Sequence, residues 1–387
     1  MLKILHTSDW HLGHVLYGNE RIKEHKSMLM QLRDIVKDEK PDLLLVCGDI
    51  FHVSQPSATI NKIFVEAISE IQRAHEDMVT LITAGNHDSG TRHEVFTELW
   101  KNFGVHTLGT LHSENPEEHI IPVKNKGYVI ALPYVHSRLM PETFIQDLLN
   151  TVKDVNKENL PVVMTAHTSI RNSKFKGHED VTDFSVGGID MIELSDMGEG
   201  YDYLALGHIH QRQFPDPTNK KVRYSGSPMS VSFDEDRIHT VSIVKINSHN
   251  SSPEIEEREI FNPMPLITLP AEGSTDWETV KELVRDFPKE QACYLRLNVE
   301  VEDFLNPGSN EEIIKLLKGK KAKFCLINTE RKKKEGTETE ARLSVQDFKK
   351  ESPLELFQRF LKENDNRKEE YINLFKEVLI ELETEKE

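Results

Sequence analysis

Five apolar runs in this 387-residue chain end on polar side chains that a strand end has no packing reason to carry. Met78 to Ala84 leads into Gly85-Asn86-His87-Asp88, and Lys3 to Thr7 into Ser8-Asp9-Trp10-His11. Leu43 to Cys47 leads into Gly48-Asp49-Ile50-Phe51-His52, Tyr203 to Leu206 into Gly207-His208-Ile209-His210, and Pro161 to Ala166 ends on His167. Asn, Asp and His are costly to bury unless something binds them, and a metal ion would bind all of them at once. An Asx-type turn accounts for Asn86 and Asp88 taken alone; it does not account for five similar strand ends. Asp9 and His11, like His208 and His210, stand two residues apart, a spacing that puts both side chains on one face of extended chain.

Elements that could bring these ends together follow from periodicity. Met28, Leu29, Leu32, Ile35 and Val36 predict a helix over about 21–38, and Ile60, Ile63, Phe64, Ala67, Ile68 and Ile71 predict another opening at Pro56-Ser57. Strand, helix, strand, helix, strand up to His87 reads as two right-handed crossover units in series. A helix over 92–103, a strand at 105–108, a hairpin around Asn125-Lys126-Gly127 and a helix over 141–155 follow. The stretch 169–188 has no clear period, and a long irregular loop directly after a candidate ligand is often a substrate-facing element. The strands around 241–246 and 255–260 read as a second sheet closing the core. In mixed α/β sheets ligands gather beyond the carboxyl ends of strands, so the five ends are expected to share one crevice.

Pro263, Pro265 and Pro270 mark a boundary. Beyond it the pattern is strand (266–269), helix (277–287), strand (293–301), helix (310–317) and strand (323–329). Arg331-Lys332-Lys333-Lys334 and a Glu/Thr-rich stretch then read as a linker. Two short amphipathic helices close the chain, with stripes Leu354-Phe357-Leu361 and Tyr371-Leu374-Phe375-Val378-Leu382.

A net charge of −17 argues against binding nucleic acid through bulk positive charge, although bound cations would reverse the sign locally. Cys47, Cys293 and Cys325 have no paired spacing suited to zinc and read as small buried apolar groups of a reducing compartment. No apolar run approaches the roughly 18 residues of a membrane span, and the expectation is a cytoplasmic protein.

Leu5-His6-Thr7-Ser8-Asp9-Trp10-His11-Leu12-Gly13, Gly48-Asp49-Ile50-Phe51, Gly85-Asn86-His87-Asp88, Gly207-His208-Ile209-His210 and Tyr224-Ser225-Gly226-Ser227-Pro228 resemble the motifs of the calcineurin-like metallophosphoesterases. Among these, the chain is similar over nearly its whole length to the SbcD-type nuclease subunits. The resemblance implies a two-sheet α/β sandwich over 1–264, a small α/β capping domain over 265–331, a linker over 332–352 and C-terminal helices over 353–387 that bind an ATPase partner. It implies two divalent ions, usually manganese, one held by Asp9, His11, Asp49 and His210 and the other by Asp49, Asn86, His167 and His208. Oxygen and imidazole donors without thiolate agree with Mn(II). His87 would protonate the leaving oxygen, Asp88 would orient His87, and His52 would contact the scissile phosphate or assist; much of the superfamily has aspartate at the position of His52. Trp10 reads as packing.

The implied activity is hydrolysis of DNA phosphodiesters, as exonuclease on duplex ends and endonuclease on single strands or hairpins, in repair, recombination and fork maintenance. The implied partners are DNA and an SbcC-type coiled-coil ATPase, in a heterotetramer built on a nuclease dimer. No Gly-x-x-x-x-Gly-Lys-Ser/Thr loop is present, so ATP use must come from that partner. Two other readings stand beside this one. The same metals could serve a nucleotide or phosphoprotein substrate, or the chain could be a DNA-end scaffold with a vestigial site.

Overall fold

The computed structural model describes residues 1–174, 191–235, 238–332, 371–372 and 374–376. Met1–Arg331 forms one compact unit. Of the second unit, Lys332–Glu387, residue 332 and the helical residues 371–372 and 374–376 are described. The linker expected over 332–352 and the two amphipathic helices expected over 353–383 thus fall almost entirely outside the described residues, as does most of the aperiodic stretch 169–188.

Strand β1 (Leu2–Thr7) opens the chain, followed by α1 (Ile22–Glu39), β2 (Leu43–Cys47), α2 (Ala58–Ala74), β3 (Val79–Thr83) and β4 (Val105–Leu108). Helix α1 stops where Lys40 turns left-handed and its N–H bonds Val36 O, just before Pro41; α2 starts on Ser57, whose hydroxyl accepts from Ile60 N–H. Next come β5 (Ile120–Val123), β6 (Gly127–Ala131), α3 (Phe144–Val155), β7 (Val162–His167), β8 (Tyr203–Gly207), β9 (Val222–Tyr224), β10 (His239–Ile246) and β11 (Glu254–Ile260). One sheet runs β11-β10-β1-β2-β3-β4 and the other β9-β8-β7-β6-β5. Strands β1 to β4 pair in parallel, with Leu5 opposite Leu44 and Leu45 opposite Leu81.

Period-two alternation divides the apolar residues between the layers. Leu2, Ile4, Leu43, Leu45 and Leu81 face inward and meet Val129, Ala131, Val163, Tyr203 and Ala205 of the opposite sheet. Leu5, Leu44 and Val46 face outward onto Met28, Leu32, Ile63 and Phe64 of α1 and α2. The far face of the second sheet packs Met164 and Leu204 on Ile145, Leu148 and Val152 of α3. The result is a helix-sheet-sheet-helix sandwich, and the parallel strands of both sheets end at the site.

Two expectations need correction. Residues 241–246 and 255–260 belong to the first sheet: β10 runs antiparallel to β1, with Leu2 opposite Ile246. The second sheet is built from the strands between 120 and 224. Nothing local selects which edge a strand joins, and β10 is buried on both faces beside β1, a place its apolar run suits. The single helix expected over 92–103 is two five-residue helices, Gly90–Glu94 and Thr97–Lys101, separated at Val95-Phe96.

Residues 266–331 form a third sheet, all parallel, of β12 (Leu266–Leu269), β13 (Cys293–Val301) and β14 (Ala322–Arg331). Helices α4 (Trp277–Asp286) and α5 (Ser309–Leu316) cover it, with Val280, Val284 and Ile313 packed on Leu295, Leu297 and Val299 in a core of their own.

Candidate metal centre

Three of the five strand ends deliver their polar residues through strained backbone. Asp9, His11, Asp49 and His208 all have positive φ (55°, 43°, 51° and 96°), a region non-glycine residues rarely occupy and one that folded structure must over-determine. Two glycines permit the close approach. A Cβ on Gly48 would lie 2.1 Å from His167 Nδ1, and one on Gly85 would lie 2.1 Å from Asp49 Oδ1. Gly48 and Gly85 are therefore where site side chains pass across neighbouring backbone.

The convergence is close. His11 Nε2 and His210 Nε2 lie 3.0 Å apart, and Asp9 joins them in one group of mutually adjacent donor atoms. Asp9, Asp49 and His167 form a second group, with Asp49 Oδ2 at 3.4 Å from His167 Nε2 and 3.7 Å from His11 Nε2. Asn86 Oδ1 lies 3.1 Å from His167 Nε2 and 3.0 Å from His208 Nδ1. All seven residues expected as ligands thus share one crevice. His11, His52 and His87 form a third group, with the His52 and His87 rings stacked at 5.7 Å.

Neighbouring groups fix the rings. The Cys47 carbonyl lies 2.9 Å from His167 Nδ1, leaving Nε2 to face Asp49. Glu235 does the same for His210, its Oε1 at 2.9 Å from Nδ1, while its two oxygens also accept from Ser227 Oγ and the N–H groups of Val231 and Ser232. Ser8 Oγ donates to Asp9 and meets Ser225 Oγ at 2.8 Å, so the Tyr224 to Pro228 motif backs the site from behind. Glu235 was not legible in the sequence: it lies in no strand-end motif, and only the return of the chain after Pro228 puts it on His210.

The orienting role expected of Asp88 goes elsewhere. Its carboxylate accepts from the N–H groups of Ile50, Phe51 and Gly85 and lies 3.4 Å from His93 Nε2. It ties the Asp49 and Asn86 loops together. His87 is held instead by Asp49 Oδ1, which accepts its backbone N–H, and by the His52 carbonyl 3.0 Å from its Nδ1. Trp10 is buried, with its Nε1–H on Thr7 Oγ1, as packing requires.

The donors fit divalent cations on physical grounds. Asp9 and Asp49 are both fully buried, and like charges in one dry crevice cannot coexist without compensation. Burial raises the Asp9 carboxyl. Burial would raise Asp49 too, but His167, His11 and His87 together hold it well below the ordinary range. Burial lowers the His167 imidazole, yet Asp49 beside it outweighs that and raises it to about 9. His210 is raised in the same way by Glu235, and His11 is driven well down by burial. Imidazolium ions thus stand in for positive charge, while His11 Nδ1 is buried without a hydrogen-bond partner. Cations among these oxygens and ring nitrogens would neutralise the carboxylates and separate the facing Nε2 atoms. The nearest thiol, Cys47, is buried behind the crevice and raised well above its usual value, which suits an inert core group.

Residues 2–212 match the calcineurin-like phosphoesterase family, and the chain belongs to it. Residues 262–365 match a second family, described as the type 5 capsule protein repressor C-terminal domain. Proteins named as the SbcD subunit of the nuclease SbcCD are similar along much of the chain. That of Rhodobacter capsulatus is 29% identical over 302 residues, 70% of this chain and 73% of that protein. That of Bacillus subtilis is 29% identical over 248 residues, 60% and 63%, and that of Escherichia coli K12 is 25% identical over 333 residues, 79% and 80%. A dimetal phosphatase from Danio rerio covers 67% of this chain and 97% of its own at 9% identity with a TM-score of 0.41, too loose a likeness to argue from. No helix among the described residues is long and apolar enough to cross a membrane.

Proposed function

We propose that this chain is the nuclease subunit of an SbcCD-type complex, hydrolysing DNA phosphodiesters with two manganese ions, as exonuclease on duplex ends and endonuclease on single strands and hairpins. The observation that carries the reading is the meeting of Asp9, His11, Asp49, Asn86, His167, His208 and His210 at the strand ends of a phosphoesterase sandwich. The similarity to SbcD subunits of SbcCD nucleases supplies the substrate class.

Asp9, His11, Asp49 and His210 would hold one ion, and Asp49, Asn86, His167 and His208 the other, with Asp49 shared. When bound, such a pair neutralises charge developing on phosphate oxygens and acidifies water. The protein's own part is proton delivery and alignment. With Nδ1–H donated to the His52 carbonyl, the His87 ring turns Nε2 toward the leaving oxygen, the place of a general acid. His52, stacked beside it, would contact the scissile phosphate. A cavity of about 270 Å³ next to His167 is walled by Leu132, Met140, Ile145, Ile192 and Met197 and also lined by Glu142 and Asp196.

On this reading residues 1–264 are the nuclease domain, 265–331 a cap over the substrate, 332–352 a linker, and 353–387 helices that dock on an SbcC-type coiled-coil ATPase in a heterotetramer. Short amphipathic helices are marginal alone and need a surface to bury their stripes. The test is incubation of purified chain, with and without the ATPase, with end-labelled duplex and hairpin DNA in Mn(II), Mg(II) or Zn(II). Cleavage of a small activated phosphodiester but of no DNA would move the reading to a small-substrate esterase. Hydrolysis of neither would leave a scaffold.

A further inference from the structure

Residues 230–235 form a short loop whose last member, Glu235, holds the His210 imidazole at 2.9 Å. The loop is closed on itself by Glu235, which accepts from the Val231 and Ser232 N–H groups, so its two ends move together. Each end is tied to β13 of the third sheet, one directly and one through Arg21. At Asp234, Oδ1 accepts from Arg296 Nη1 at 2.7 Å. Arg296 is fixed in turn by Thr268 Oγ1 at 3.1 Å from its Nε, and its guanidinium lies over the Phe233 ring at 5.3 Å. At Ser230, the carbonyl accepts from Arg21 Nη1, and the Arg21 guanidinium lies 5.7 Å from the centre of the Tyr294 ring. The Tyr294 hydroxyl donates to Glu24, the α1 residue three places after Arg21. Arg21 is 1% exposed, so this second hold is a buried one.

We propose that Arg296 and Asp234 are positioning residues for the metal centre: the third sheet, by gripping the 230–235 loop, sets Glu235 against His210 and so fixes the imidazole that would face an ion. The loop is short, its hydrogen bonds close on Glu235, and its hold on Arg296 lies outside the 2–212 span matched to the phosphoesterase family. A phosphoesterase sandwich alone lacks it. In this protein the appended sheet therefore acts on metal affinity as well as on whatever it covers. Carboxylate partners of metal-ligating histidines typically change metal affinity or activity about 10- to 100-fold when lost.

The inference rests on the metal reading of the site, and calorimetric titration of Mn(II) into the metal-free full chain separates the two. Glu235→Gln should weaken one ion about 10- to 100-fold. Arg296→Gln should weaken the same ion about two- to fivefold, the range of a partly exposed ion pair acting at one remove. The exchange variant Asp234→Arg with Arg296→Asp should return affinity to near the wild-type value, and Lys245→Gln, which breaks a comparable pair on β10 with Glu256, should leave it unchanged. The melting temperature in chelator reports folding separately, so a fold defect is not mistaken for lost metal. Should Glu235→Gln fail to fold, Arg296→Gln and the exchange variant decide alone. Wild-type affinity in a folded Arg296→Gln chain, or an exchange variant no better than the single one, overturns the inference while leaving the metal reading intact. A wild-type chain that takes up no divalent ion overturns both.

Discussion

Metal loading should release protons, and two buried imidazoles set the number. In the metal-free protein burial lowers His167, but Asp49 at 3.4 Å outweighs it and raises the group to about 9. His210 is raised against its own burial by Glu235. At pH 7 His167 therefore carries a proton, and His210 holds one more tightly than an ordinary imidazole. A metal ion needs the lone pair of a neutral imidazole, so each proton must leave when the ion enters. Apparent affinity should then rise about tenfold per pH unit for the proton on His167, more steeply where His210 also gives one up, and should level off as pH passes about 9. The sign for the metal-free fold is the reverse. A raised histidine contributes stability that is full below about 6.5 and is lost as pH rises through about 9, so the gap in melting temperature between loaded and metal-free protein should widen with pH. Calorimetric titration of Mn(II) at pH 7, in buffers of different ionisation enthalpy, counts the protons directly. A heat independent of buffer, or an affinity flat between pH 6.5 and 8, would refute the picture of imidazolium ions standing in for cations.

Replacing His87 with alanine should leave both ions bound, checked by anomalous scattering, while lowering turnover about 100- to 10,000-fold, the usual worth of a positioned acid. Asp49→Ala should lose both ions together, whereas His11→Ala should weaken chiefly one; two unchanged independent sites in the Asp49 variant would end the shared-ligand assignment. Asp88→Asn should cost about 2 kcal/mol in denaturant unfolding, because a buried acceptor for three backbone N–H groups is degraded, and His87 should keep its place on the His52 carbonyl. Phe357→Ala with Phe375→Ala should abolish co-purification with a coiled-coil ATPase, aromatic anchors each being worth about 2 kcal/mol or more, and should leave hydrolysis of a small phosphodiester unchanged.

The candidate ligands were legible in the sequence because a strand end is a local event. An apolar run that ends on Asp, Asn or His, three times after a glycine, can be read off a dozen residues, and five such ends imply a crevice wherever the sheets place it. The same locality explains why the helices α1 and α2 followed from spacing alone. What only tertiary structure decided is what sequence separation hides. Pairing of β10 with β1 joins residues more than two hundred positions apart, so its membership of the first sheet could not be read from its own apolar run. Asp88 adjoins His87 in sequence, yet its carboxylate turns to the backbone of Ile50 and Phe51, because three N–H groups in a dry loop outweigh one ring. Glu235 carries no motif and reaches His210 because the chain doubles back after Pro228 and the third sheet grips it there. The residue types at a site are a matter of chemistry and leave their mark in sequence; the groups that hold them are chosen by which surfaces the fold brings within hydrogen-bond reach.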